Sequence, residues 1–185
     1  MRRVGKLALV VVAVPIAVLA YFAPNIHGYY RFKHFCETEG GLRIHHKLRK
    51  GVPWQADRFG RYDVASHESV PFVRVNRNGQ LLDMRYRGGR AGDDGSYAVV
   101  PADLSVSPEY EIRFVDEQLP DELRLSRSGY EVREVATGRL MVRWYGFGYG
   151  RFDRDRTPLA APSTISCHDV EAFFAGSSFS TYFDN

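Results

Sequence analysis

The sequence predicts an α+β protein, mainly antiparallel β. An N-terminal transmembrane helix and a short membrane-proximal helix precede one β-rich domain of about six to seven strands. Three observations carry this expectation. Residues 7–23, "LALVVVAVPIAVLAYFA", are uncharged and apolar and follow the basic "MRRVGK". The stretch "VPFVRVNRNGQLLDMRYR" sets two apolar-alternating runs around Asn78-Gly79, the strongest short hairpin signal in the chain. Roughly 140 residues follow the first forty or so, enough for one hydrophobic core. The composition, 44% hydrophobic and 25% charged, is that of an ordinary globule.

The elements follow in chain order. Residues 1–23 are expected to form the anchor. Seventeen apolar residues rise about 25 Å as a helix, the short end of what a bilayer needs. Pro15 falls inside the run, a position membrane helices tolerate better than soluble ones. Residues 24–41 are expected to hold the membrane-proximal helix, with Pro24-Asn25 as its start and Gly40-Gly41 as its stop. The β-rich domain then occupies residues 42–185. "LRIHHKL" places Leu42, Ile44, His46 and Leu48 on one face of a strand. After the Asn78-Gly79 hairpin, residues 88–96 form a Gly- and Asp-rich turn. "YEIRFV" reads as a strand. A second hairpin sets Val132 and Val135 against Leu140, Val142 and Trp144 across Thr137-Gly138. "DRDRTPLAAPST" reads as a loop and "CHDVEAFFAG" as a short helix, while the tail "SSFSTYFDN" has no clear period. A sandwich is the alternative to a helix-covered sheet.

The N-terminal run has two readings. A cleaved signal peptide would end at a small-residue site such as Val18-Leu19-Ala20. An uncleaved signal anchor is favoured by Tyr21, Phe22, Tyr29, Tyr30 and Phe32 just beyond the run, which resemble an interfacial aromatic belt. Either way Arg2, Arg3 and Lys6 hold the N-terminus in the cytoplasm and export the rest. The expected location is therefore the bacterial inner membrane, single-pass, with the C-terminal domain in the periplasm.

Charge is divided unevenly. Residues 1–50 hold nine Lys and Arg against two Glu, and residues 51–185 hold sixteen Arg against twenty acids. The folded body is mildly acidic, which argues against a nucleic-acid partner. The expected partners are the lipid bilayer, through the N-terminal helix, and another envelope protein. Arg outnumbers Lys by 21 to 4. The arginines alternate with acids, as on solvated strand faces, more than they cluster as an anion site would.

Two cysteines, Cys36 and Cys167, allow one bridge. In an oxidising compartment a disulfide is the expected state, tying the post-anchor segment to the C-terminal segment. The rival is a metal set of His34, Cys36, Cys167 and His168, but its spacing is poor for zinc. Free thiols are the third possibility. No metal and no cofactor are expected.

No motif assigns catalysis. His45 and His46 point to opposite faces of a strand. His67-Glu68 in "ASHES" has flanking serines but no nucleophile elbow around it. Asp93-Asp94 lacks the alternation of a calcium loop, and the alternating Asp153 and Asp155 are interleaved with arginines. The run Trp144-Tyr145-Gly146-Phe147-Gly148-Tyr149-Gly150 is more unusual. Its glycines let something approach closely. That could be a neighbouring backbone, with the aromatics in the core. It could instead be a stacking partner, with Trp144, Tyr145, Phe147 and Tyr149 as a binding surface. The expected function is a non-enzymatic, membrane-anchored envelope protein presenting a disulfide-closed binding or scaffolding domain. The alternatives are a small periplasmic or secreted hydrolase-like enzyme using a His and an acid, and a small-ligand or glycan-binding β-domain.

Overall fold

A computed structural model of the chain describes residues 2–57, 61–67, 69–90, 93–120, 124–150, 164–168 and 181–184. Helix α1 (Arg2–Thr38) leads. It is followed by β1 (Gly41–Ile44), β2 (Trp54–Ala56), α2 (Arg61–Ala65), β3 (Val73–Arg77), β4 (Gln80–Tyr86), β5 (Tyr97–Pro101), β6 (Tyr110–Gln118), β7 (Leu125–Glu134), β8 (Leu140–Gly150) and β9 (Thr164–Cys167). The nine strands form one sheet in the order β1-β8-β7-β6-β2-β3-β4-β5, with β9 also on β8. The class matches the α+β expectation, while the described residues hold nine strands in place of the expected six to seven, in one sheet and not the two of the sandwich alternative.

Helix α1 runs unbroken through Pro15 and Pro24. The separate membrane-proximal helix is thus corrected to the outer part of a single helix. Each proline removes one main-chain donor. Long apolar and polar helix-forming runs on both sides, together with packing of the later turns on the sheet, keep the helix continuous. The segment Val11–Thr38 is long and apolar enough to cross a membrane, with mean hydropathy 1.6 over its best window.

The two hairpins set most of the sheet. Asn78 and Gly79 both have positive φ, 54° and 86°, the conformation of a two-residue turn whose twist matches the strands. The Asn76 side chain accepts from the Gly79 N–H at 2.8 Å. The longest pairings are β6–β7 and β7–β8, both antiparallel. Strand β2 is the exception, parallel to both β3 and β6. Strand β1 is shorter than "LRIHHKL" suggested. Beyond Ile44 the N–H groups of His45 and His46 both donate to the Met141 carbonyl, so the pleat is lost and both histidines are exposed.

Alternation along the strands builds two cores. On one face Trp54, Val73, Met84, Ile112, Val132, Val142 and Trp144 pack with Val64 and Ala65 of α2, Val70, Leu48, Tyr182 and Phe183. On the other, Leu125, Tyr145, Phe147 and Tyr149 pack with Phe32, Phe35 and Cys36 of α1. The proposed loop at residues 153–164 and helix at 167–176 fall largely outside the described residues, except that Thr164–Cys167 is a strand.

Candidate interaction surface

Helix α1 is locked to β8 at several points. Phe32 stacks on Tyr149 with ring centroids 6.2 Å apart, and Phe35 on Phe147 at 5.5 Å. Gly28 leaves room for the Tyr149 ring, which a Cβ there would overlap. Cys36 and Cys167 form a disulfide with Cα atoms 6.1 Å apart, inside the range a bridge allows. Cys167 reaches the helix because it pairs with Phe147 in the β8–β9 register, which puts both side chains on the helix-facing side. The next residue, His168, turns its ring over Gly40 and Gly41, where its Nε2 lies 3.2 Å from the Cys36 carbonyl. The bonded sulfurs leave no thiolates for the rival metal set. Among the described residues no group of three His, Cys, Asp or Glu could hold a metal ion.

The aromatic-glycine strand is core. Trp144, Tyr145, Phe147 and Tyr149 are 5%, 2%, 2% and 3% exposed, the burial of the core alternative and not that of a stacking surface. The glycines explain the pattern. Gly146 and Gly148 lie on the face away from α1. A Cβ on Gly146 would overlap the His168 carbonyl, and one on Gly148 would crowd the Ser126 hydroxyl at 3.0 Å. What approaches closely is the protein's own chain.

Tyr145 also closes a polar network on the helix-facing side. Its hydroxyl donates to Glu131, and the guanidiniums of Arg127 and Arg143 stand 4.5 and 4.8 Å from its ring centroid. Burial and the Glu131 carboxylate push the phenol up to about 12. Burial works to raise the Glu131 carboxyl. The hydrogen bonds from Tyr145 and Arg133, with the charge of Arg133 and Arg127, outweigh it and hold the group below its usual 4.5.

The described contacts of His67 are structural. The His67 ring stacks on Phe183 at 5.0 Å, and its Nδ1 accepts from the Ser69 N–H at 3.2 Å. That contact fastens the loop to the core. Asp63, on α2, is pushed up by burial, and its main-chain carbonyl accepts from the Ser66 hydroxyl at 2.9 Å. Asp153 and Asp155 lie outside the described residues.

Beside β5 the sheet offers a groove of about 520 Å³. Its floor is Val75, Leu82, Met84 and Val99, and Asp57, Arg61 and Arg77 stand among its rim. Among the described residues no strand pairs with the outer edge of β5. The Arg87 N–H donates to the Ser96 carbonyl and the Ala102 N–H to that of Leu81. Even-numbered positions therefore turn their main-chain groups to β4, and Val99 turns its own outward. Val99 and Val100 are 49% and 41% exposed, one on each face. Pro101 limits the edge to a short stretch because it has no donor.

A buried ion pair shapes this edge from behind. Arg74 and Asp83, 6% and 2% exposed, pair in a fork at 2.8 and 3.0 Å. Arg74 also donates to the carbonyls of Asp103 and Val106, and Asp83 accepts from the Asp103 N–H. The pair thus ties the segment after β5 to the sheet. Its partners were readable in principle: counting outward from the Asn78-Gly79 turn sets Arg74 opposite Asp83. No family model matches the chain, and comparison with curated proteins and with solved structures found none similar to it.

Proposed function

We propose that this is a non-enzymatic, single-pass protein of a bacterial inner membrane. Its N-terminal helix is retained as a signal anchor, and its β-domain binds another envelope protein in the periplasm. The observation that carries the reading is the direct passage of α1 from its apolar segment into the contacts with β8, closed by Cys36–Cys167. A disulfide suits an exported, oxidising location. The three basic residues before the apolar run suit a cytoplasmic N-terminus. A tether of this kind raises the domain's effective concentration near membrane partners.

The partner's contribution is an extended segment added to β5. Strand addition needs outward main-chain groups and pockets for alternate side chains. Val99 and the adjoining groove supply these.

Intact mass of the membrane-extracted protein tests the anchor and the compartment together. The expected result is full-length mass, with thiol alkylation only after reduction. Loss of about twenty residues would make it a cleaved exported protein, and labelling without reduction would place the domain in a reducing compartment. A photo-cross-linker at exposed Val100 tests the partner site. The expected adduct maps to an extended segment of another protein and disappears when Val99 is replaced by Pro, which removes an outward N–H and no bond to β4. Adducts only to lipid or to a second copy of this chain would overturn that assignment.

A further inference from the structure

We infer that one end of the sheet rests on the headgroups of the bilayer that α1 crosses. This end holds the last residues of β8 together with Leu119, Pro120 and Arg124. The inference rests on the anchor reading above and adds a second membrane contact, made by the folded domain itself.

The argument begins with the direction of α1. It runs antiparallel to β8. Asn25 and Gly28 meet Tyr149, Phe35 meets Phe147, Cys36 is bonded beside Phe147, and Glu39 faces Arg143 at 3.8 Å. Contacts at both ends of this run, one of them covalent, hold the domain at one orientation to the helix. No linker intervenes, because the helix continues through Pro24. Asn25 to Cys36 is about 16 Å of helix rise.

The level of the bilayer surface is marked on the helix. Tyr21 and Phe22 lie just before Asn25 and Tyr29 and Tyr30 just after it, all four exposed. Aromatic rings of this kind collect at the membrane interface. From the first to the last they cover about 13 Å of rise, enough to bracket one headgroup layer of about 5–8 Å. Asn25 then lies within that layer.

The sheet meets the helix at the same level. Arg124 donates to the Asn25 side-chain oxygen at 2.5 Å, and the Tyr149 hydroxyl to the Asn25 carbonyl at 3.3 Å. The Gly150 N–H donates to the Arg124 carbonyl, and the Leu119 N–H to that of Leu125. These bonds set Leu119, followed by exposed Pro120, at the same end of the sheet as Arg124 and Tyr149, the residues that meet Asn25. The opposite hairpin, at Thr137-Gly138, lies farther along by the length of β8, about 30 Å. One end of the domain is therefore held at the headgroups and the other well clear of them.

Fluorescence quenching in nanodiscs tests this with the full oxidised chain. Both native cysteines are bonded, so a maleimide dye labels only an introduced one. Three variants are labelled singly: Val14→Cys, Pro120→Cys and Thr137→Cys. The expected result is quenching at residue 14 by acyl-chain nitroxide, and headgroup-nitroxide quenching at residue 120 at least threefold above that at residue 137. Equal, weak headgroup quenching at 120 and 137 with residue 14 still quenched would overturn the inference and leave the anchor standing. No quenching at residue 14 would overturn the anchor reading and this inference with it.

Discussion

The two faces of the sheet are held in different ways. The face against α1 buries a small cluster and adds a covalent staple, with glycines at 28 and 40 that let ring and helix close in. The opposite face has no disulfide. Among the described residues it buries a larger cluster, closed by Tyr182 and Phe183. Where a single helix covers only part of a sheet, apolar area is limited, and the bridge offsets that limit. Where a loop, a short helix and the C-terminal aromatics converge, packing alone suffices.

The largest effect should come from the staple. The bridge spans 131 residues, and the chain-entropy model assigns such a loop about 5 kcal/mol. Cys36→Ser with Cys167→Ser should therefore lower unfolding free energy by up to about 5 kcal/mol. Hydrogen exchange should show where: the amides of helix residues 25–38 should lose protection before those of β6 and β7. The loop entropy lowers protection on both faces alike, so the comparison breaks if the helix amides lose no more than those of β6 and β7.

Phe183→Ala attacks the other face. The side chain is buried against Trp54 and the His67 ring, and truncations of this kind cost about 3–5 kcal/mol. The loss should appear in denaturant unfolding with the disulfide intact. A loss below about 1 kcal/mol would mean that the C-terminal aromatics cover the core without supporting it.

Gly28→Ala should cost about 1–3 kcal/mol, the range for overpacking a filled site. The added methyl would meet the Tyr149 ring. Tyr149→Leu in the same chain should recover part of the loss. If it recovers none, the helix is not seated on β8 as closely as the first prediction requires.

This contrast was only half readable in the sequence. The cysteine pairing followed from their count and compartment, and both hairpins followed from turn residues, Asn78-Gly79 above all, because a positive φ at two adjacent positions needs such residues. Strand β2 was missed. Its three residues are too few to show a period, and its parallel pairing on both sides depends on residues far along the chain. Tyr182 and Phe183 looked like an aperiodic tail because their place in the core comes from an isolated bridge to Leu48, not from a repeating pattern. Continuity of α1 was hidden by Pro24, whose local effect is overridden by the packing of Phe32 and Phe35. The candidate edge at β5 was unreadable for a related reason. A strand's place at the border of a sheet is decided by topology, and the run "YAVVP" looks the same at an edge or in the middle.

The smallest predicted effect is electrostatic and belongs to the helix-facing side. Glu131 has a folded-state value held below 4.5 by Tyr145 and the neighbouring arginines, against the effect of its burial. A carboxyl depressed on folding contributes stability that is fully present above its unfolded value and is lost as pH falls through the folded one. The acid limb of the stability curve should therefore steepen below about pH 4.5. Glu131→Gln should flatten that limb while leaving an amide to accept from the Tyr145 hydroxyl. Tyr145→Phe should flatten it less, since the arginine charges remain. If neither variant changes the acid limb, the carboxylates of the opposite half, Asp103 beside Ser105 first among them, govern acid sensitivity instead. The two faces would then differ in packing but not in their response to pH.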